Sequence, residues 1–399
     1  MPTDFANGPL DGVRVLDLSR VIAGPYVGRL FADLGAEVIK VEPPEGDDAR
    51  RIAPRHDRGH SWLLHFSNVG KRSIALDLGK PRAAEVLLAF AAISDAVIEN
   101  FRPGVAERLG IGWEAIRARN PRAVLLSVNG FGAGSAWSDR RAYAPIVHAI
   151  TGLLRDRGQG SQTPAQPRIA YSDVLTALHA AVALLAALRM AEATGRGQHV
   201  EVPMFDATLA SHSEAGNVLI DPPDDRVMNP IFDAGAHGWI AVGGAAQHVW
   251  VSLSKEFPRE LPDPAPKGAA LEQKAAARHQ AVAGFLAGQP SQDAALDVLA
   301  RAKLAAAPVI TPKEALLGPL ARERGLLVPV DDGKGGTRPV VRPPARFSAS
   351  RNEVRGPAPR PGEHGVELLR ELLGFDAERI RALVESGALL FPEGAGEDA

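Results

Sequence analysis

Asp173 stands immediately ahead of a long apolar stretch, Val174 to Leu188, in which alanine and leucine dominate. An aspartate in that place is ordinarily an N-cap, its carboxylate accepting backbone N–H bonds from the first helical turn. The same position suits a nucleophile, because the positive end of the helix dipole favours the ionised, attacking form. The chain contains no cysteine. Thiolate nucleophiles, disulfides and cysteine-ligated metals are excluded together, so covalent chemistry must run through oxygen or nitrogen.

A second candidate is the run Val21-Ile22-Ala23-Gly24-Pro25, which follows a short apolar strand. Proline at the first helical position leaves free backbone N–H groups that can meet an anion. Neither G-x-G-x-x-G nor a Walker A sequence occurs, which argues against a dinucleotide or a nucleoside triphosphate. Cations recur after strand ends: Arg50 and Arg51, Lys71 and Arg72, Arg102, and Arg140 and Arg141. Each alone reads as solvated surface, but together they suit a phosphate-rich ligand. His56 and His60 have H-x-x-x-H spacing, but Asp57-Arg58-Gly59 between them does not read as helix, so no metal site is expected.

The elements that must position these residues alternate along the first 130 positions. Val13–Ser19, Glu37–Glu42, Ser73–Leu78, Asp95–Phe101 and Ala123–Asn129 are apolar strands. Pro25–Leu34, Arg82–Ile93 and Val105–Asn120 are helical in pattern. Such alternation predicts an α/β fold, a Rossmann-like doubly wound parallel sheet covered on both faces. The helix after Asp173 is apolar all round and is expected to be buried on every side, ending at Gly195 and Gly197. His199–Val202 is a further strand and Phe205–Ala215 a helix.

Residues 1–215 therefore form a large domain. Residues 216–236 read as a linker, and a smaller α+β domain runs to residue 324, with a strand at Trp239–Val242, a turn at Gly243-Gly244 and three helical stretches. Residues 325–399 form a C-terminal segment returning to the large domain. It comprises a hairpin of Leu326–Val330 with Thr337–Arg342, a proline-rich extended stretch from Pro343 to Pro361, and two helices starting at Glu363 and Ala377. A formal charge of −2 gives no field that favours nucleic acid or an anionic membrane. The start of the chain has no secretory pattern, and the apolar run falls short of a span, so a cytoplasmic protein is expected.

Several segments resemble one family, in the right order along the chain. Leu10-Asp11-Gly12-Val13-Arg14-Val15-Leu16-Asp17-Leu18, Ala23-Gly24-Pro25 and Leu34-Gly35-Ala36-Glu37-Val38-Ile39-Lys40-Val41-Glu42 open the match. Asn68-Val69-Gly70-Lys71-Arg72-Ser73-Ile74, Glu99-Asn100-Phe101-Arg102-Pro103-Gly104, Gly195-Arg196-Gly197-Gln198 and Gly362-Glu363-His364 continue it. This set resembles the family III coenzyme A transferases, which include the formyl-CoA:oxalate and carnitine enzymes.

The resemblance implies that coenzyme A moves between an acyl-CoA and a carboxylic acid, with Asp173 as the attacking carboxylate. It further implies Tyr143 beside it and an oxyanion contact from the Gly243-Gly244 loop. Val21, Ala23, Gly24, Lys71, Arg72, Asn100, Arg102 and Arg141 are the expected coenzyme A contacts. An interlocked homodimer is also implied. Ile22 and Ala144 replace a glutamine and an acid of the oxalate-using members, so neither oxalate nor formate is expected. Two readings compete: an α-methylacyl-CoA racemase of the same fold, in which Tyr143 or His148 would be a second base, and a catalytically silent acyl-CoA-binding protein.

Overall fold

The computed structural model describes residues 8–52, 61–155, 163–213, 215–220, 228–332 and 335–391. The His56–His60 pair lies outside the described residues. The chain forms two compact units. Met1–Asp156, Thr163–His212 and Gly325–Ala399 make the first, and Ser213–Arg324 makes up nearly all of the second.

In the first unit β1 (Arg14–Asp17), α1 (Ala23–Asp33) and β2 (Glu37–Glu42) are followed by the short helices α2 (Ala49–Ile52) and α3 (Trp62–Asn68). Next come β3 (Arg72–Leu76), α4 (Pro81–Ala92) and β4 (Ala96–Glu99). Residues 105–120, expected as one helix, form α5 (Val105–Arg108) and α6 (Trp113–Arg119). Gly110, at φ 72°, ends the first and Gly112 starts the second, so glycine chemistry breaks an otherwise continuous pattern. After β5 (Val124–Asn129) come α7 (Ala144–Ile150), α8 (Tyr171–Thr194), β6 (His199–Pro203) and α9 (Met204–Ala210). Helix α9 ends five residues earlier than the sequence pattern suggested.

Strands β3-β2-β1-β4-β5-β6 lie side by side and all run parallel. Side chains alternate across this sheet with a period of two. Val15, Val38, Ala96 and Leu126 enter one core with Val27 and Phe31 of α1 and the alanines of α8. Leu16, Ile39, Val97 and Leu125 enter the other, against Phe90 of α4 and Ile116 of α6. Both faces are covered, which is why these strands read as unbroken apolar runs.

Helix α8 departs from the expectation of burial on every side. Ala177, Ala180, Leu184, Ala187 and Ala191 are buried, packing toward α1 and the sheet. On the opposite face Leu178, Val182, Leu185 and Met190 are exposed, Val182 by 68%. Its 24 residues are long and apolar enough to cross a membrane by length and composition alone. Small side chains on one face let it lie close to α1, and the larger apolar ones face away.

The second unit holds α10 (Ala215–Val218), β7 (Ile231–Asp233), β8 (Trp239–Val242), α11 (Ala246–Glu256), α12 (Leu271–Ala287), α13 (Gln292–Arg301), β9 (Ala306–Pro308), α14 (Pro312–Leu317) and α15 (Pro319–Glu323). Part of the expected linker is thus a strand, and β7, β8 and β9 form a small antiparallel sheet. Phe232, Ile240, Leu253, Leu286 and Leu299 fill its core.

From Gly325 the chain is back in the first unit. The antiparallel pair β10 (Leu327–Asp331) and β11 (Thr337–Val341) precedes α16 (Gly365–Leu373), α17 (Ala377–Glu385) and β12 (Leu389–Leu390). Leu368, Leu369 and Leu383 enter the core against β3. The two-residue β12, too short to show in sequence, pairs antiparallel with β3 and closes that sheet edge.

Candidate active site

Strands β1 and β4 are neighbours in the sheet, but the chain leaves β1 toward β2 and leaves β4 toward β5. The connections after their C-terminal ends therefore diverge, and the crevice between them is where ligands of open α/β sheets bind. A cleft of about 600 Å³ opens there. Residues 20–23 after β1, residues 100–103 after β4, the end of β5, residues 140–143 before α7, and Asp173 line it.

The wall after β1 is held in a strained conformation. Val21 has a φ of 70°, a region that a β-branched residue enters only when its surroundings force it. Asn100 clamps the preceding residue twice: its Oδ1 accepts from Arg20 N at 2.8 Å and its Nδ2 donates to Arg20 O at 2.8 Å. Asp47 Oδ1 accepts from Val21 N at 3.0 Å, and Ser67 Oγ donates to Val21 O at 3.2 Å. The other oxygen of Asp47 takes Lys40 Nζ at 2.8 Å, and Lys40 also donates to Ser19 O. Burial pushes the Asp47 carboxyl up, but Lys40 and the N–H groups of Ala49 and Val21 outweigh it and hold the carboxyl below its usual range.

Asp173 is the third residue of α8 and not its N-cap. Ala170 occupies the cap position, without a side-chain hydrogen bond. Among the described residues the Asp173 carboxyl has no hydrogen-bond partner, so it remains available to a ligand in the cleft. Burial pushes it up to about 7. The expectation that the helix N-terminus keeps it ionised is corrected: desolvation in the cleft wall dominates, and among the described residues no cation or donor offsets it.

A neighbouring contact secures this helix end. His148 of α7 is fully buried, and its Nε2 accepts from the backbone N–H of Ser172 at 3.1 Å. Its Nδ1 faces the Gln166 carboxamide at 2.9 Å. Burial lowers its pKa.

Of the residues expected at the site, Val21, Ala23, Asn100, Arg102, Arg141, Tyr143 and Asp173 meet in this cleft. Tyr143, the residue before α7, is half-exposed there. Gly24 lies just behind, and a Cβ on it would come within 2.3 Å of Ser19 Cβ, so only glycine lets α1 start this close.

Lys71 and Arg72 are not among the cleft residues. Lys71 Nζ is buried on Asp17 Oδ2 at 2.7 Å, Pro25 O at 2.7 Å and Asn68 Oδ1 at 2.9 Å. Arg72 bridges Glu37, Glu367 and Glu371. Arg50 is likewise engaged by both oxygens of Glu42.

Gly243 and Gly244 belong to the second unit, and their N–H groups already donate, to Ala305 O at 2.8 Å and Asn229 Oδ1 at 3.0 Å. The expected oxyanion contact therefore cannot use those two N–H groups as they stand.

Sequence reasoning gave no positioning role to Asp47, Lys40 or Ser67, and took His148 only as a possible second base. One signal was available: a lysine inside the apolar strand Glu37–Glu42 implies a buried anionic partner.

The family model described as CoA-transferase family III matches residues 10–365. This chain belongs to CoA-transferase family III. The succinyl-CoA–L-malate CoA-transferase beta subunit of Chloroflexus aurantiacus is 31% identical, the match covering 94% of this chain and 96% of the relative. The succinate–glutarate CoA-transferase of Agrobacterium fabrum is 29% identical over 93% and 98% of the two chains.

Among solved structures, a CAIB/BAIF family protein from Brucella suis superimposes with a TM-score of 0.79 at 29% identity, covering 92% of this chain and all of its own. Rv3272 from Mycobacterium tuberculosis gives 0.76 at 30% identity, over 90% and 99%. The chain is thus a family III CoA-transferase, an enzyme acting between an acyl-CoA and a carboxylate. Coenzyme A is its substrate carrier.

Proposed function

We propose that this family III enzyme transfers coenzyme A through covalent intermediates on Asp173. The observation that carries the reading is an Asp173 carboxyl without a hydrogen-bond partner among the described residues, in a cleft at the switch point of the sheet. An Asp173 oxygen attacks the acyl-CoA carbonyl carbon, the C–S bond breaks, and a mixed anhydride and free thiolate result. The thiolate attacks the aspartyl carbonyl, releasing the donor acid and leaving an aspartyl-CoA thioester. The acceptor carboxylate attacks that thioester, giving a second anhydride and thiolate. Thiolate attack on the acceptor's acyl carbon then forms the new acyl-CoA and restores Asp173. Acyl activation is thereby retained in anhydride and thioester bonds and not lost to water.

Arg102 and Arg141, with the wall at Val21, Ala23 and Asn100, are assigned to coenzyme A. Tyr143 is assigned to the acyl side as a hydrogen-bond donor. A short dicarboxylic acid is the proposed acid class, since the relatives named above act with succinate, malate and glutarate, and the arginine-lined cleft suits a second carboxylate.

The assembly is assigned as an interlocked homodimer, supported by the exposed apolar face of α8 and the extended segment Pro343–Pro361. No racemase reading is favoured, because His148 already engages Ser172 and Gln166.

Incubation with succinyl-CoA followed by borohydride or hydroxylamine should leave a donor-dependent modification at Asp173, detected by peptide mass, and none in Asp173→Ala. Near-normal transfer by Asp173→Asn would exclude the covalent route.

A further inference from the structure

We propose that His148 is a positioning residue for Asp173: as a neutral imidazole protonated on Nδ1, it accepts the Ser172 N–H through Nε2 and fixes the helical turn that bears the attacking carboxylate. This rests on Asp173 being the nucleophile.

The first N–H groups of any helix lack intrahelical acceptors, and a side-chain oxygen at the N-cap normally serves one of them. Here the N-cap is Ala170, which has no such group. The acceptor comes instead from another helix, 24 residues earlier in the chain, at 3.1 Å. Ser172 and His148 are both fully buried, so water does not replace the contact.

The protonation pattern follows from the donors. A backbone N–H can only donate, so Nε2 must carry a lone pair. The single ring proton then sits on Nδ1, which requires the Gln166 carboxamide, whose Nε2 lies 2.9 Å from Nδ1, to take the flipped orientation with its oxygen as the acceptor. Burial, which lowers the pKa of His148, supports the neutral ring. With both nitrogens engaged, His148 is not a free base for chemistry at an α-carbon.

The consequence for catalysis is geometric. Asp173 follows Ser172 directly, and among the described residues its carboxyl has no hydrogen-bond partner to aim it. The peptide N–H held by His148 therefore tethers the residue next to the nucleophile from outside the helix, while Val174 N on the other side makes the helix's own bond to Ala170 O. Misplacement of a reacting group by about 1 Å can cost roughly 100-fold.

The test compares His148→Gln with His148→Asn. A glutamine carboxamide reaches the Nε2 position and can accept from Ser172, whereas asparagine is too short. With succinyl-CoA as donor, His148→Asn should lower the single-turnover rate of Asp173 modification by roughly 10- to 100-fold. KM should change by less than about threefold, and His148→Gln should recover most of the rate. Amide exchange at Ser172 should quicken in the Asn variant and stay protected in the Gln variant, whichever acyl-CoA reacts.

Equal modification rates in both variants, or unchanged Ser172 exchange in His148→Asn, would overturn the proposal. No Asp173 adduct in the unsubstituted enzyme would instead sink the underlying covalent reading, and the exchange measurement would still decide the His148 contact.

Discussion

The ammonium of Lys71 lies 2.7 Å from the carboxylate of Asp17, and neither side chain reaches solvent. Asp17 ends β1 and Lys71 precedes β3, so the pair ties two strands together beneath the start of α1, where Lys71 also donates to Pro25 O. Burial draws Lys71 down to about 8, while Lys71 and Lys40 together hold Asp17 below its ordinary value against the opposing effect of burial.

Lys71→Ala should therefore act on the fold. Removing one member of a buried pair leaves the other charge uncompensated, at a cost of about 3–5 kcal/mol. Denaturant unfolding should show that loss. Arg102→Ala, by contrast, should leave unfolding nearly unchanged and weaken coenzyme A binding by about 1–3 kcal/mol in calorimetry, the scale of a charge-assisted hydrogen bond. A stable Lys71→Ala protein with weakened coenzyme A binding would reverse this division of labour.

Asp47→Ala should disturb both stability and the site. It strips Lys40 of its buried partner and frees Val21 N from the acceptor that holds it at positive φ. Unfolding free energy should fall by about 3–5 kcal/mol. Adding Val21→Gly should restore little stability, because glycine relieves strain at residue 21 but leaves Lys40 unpaired. Full rescue by glycine would show that strain, and not the ion pair, governs this loop.

The alternation of strands and helices was legible because both faces of the sheet are covered, so Val15 and Leu16 are both buried though they point opposite ways. The cleft wall at Val21, Ala23 and Arg102 was legible because strand ends locate the crevice, whereas Asn100 came only from the family resemblance. Burial of Lys71 was not. A cation after a strand end reads the same whether it faces a phosphate or turns inward to Asp17, and only the packing of α1 distinguishes the two. The exposed face of α8 was hidden as well, because composition cannot say which side of an all-apolar helix meets the sheet. His148 reaches Ser172 across 24 residues, a relation that no local pattern encodes.

Activity should rise with pH through about 7, with one ionisation, because the attacking form of Asp173 is the carboxylate and burial sets its value there. Below that value the ionised fraction falls about tenfold per pH unit. The kcat/KM profile for the acyl-CoA checks this in the free enzyme. An acid limb centred near 4 would mean that Asp173 is not desolvated in the working enzyme.

Stability should respond to the same group with the opposite preference. The folded-state value, about 7, lies above the ordinary 3.8, so the folded protein holds this proton more tightly than the unfolded chain. The stabilisation is fully present below 3.8 and is lost as pH rises through about 7. Asp173→Asn carries no such titration. The variant should melt like the parent near pH 4 and above it at pH 8, where the buried carboxylate opposes folding. A shift of about three units corresponds to about 4 kcal/mol, an upper bound that solvent in the cleft reduces. Thermal melts of both proteins at the two pH values, run without acyl-CoA, check this directly. Equal melting temperatures at pH 8 would show that the Asp173 carboxylate is not strained by its surroundings, and its reactivity would then need another source.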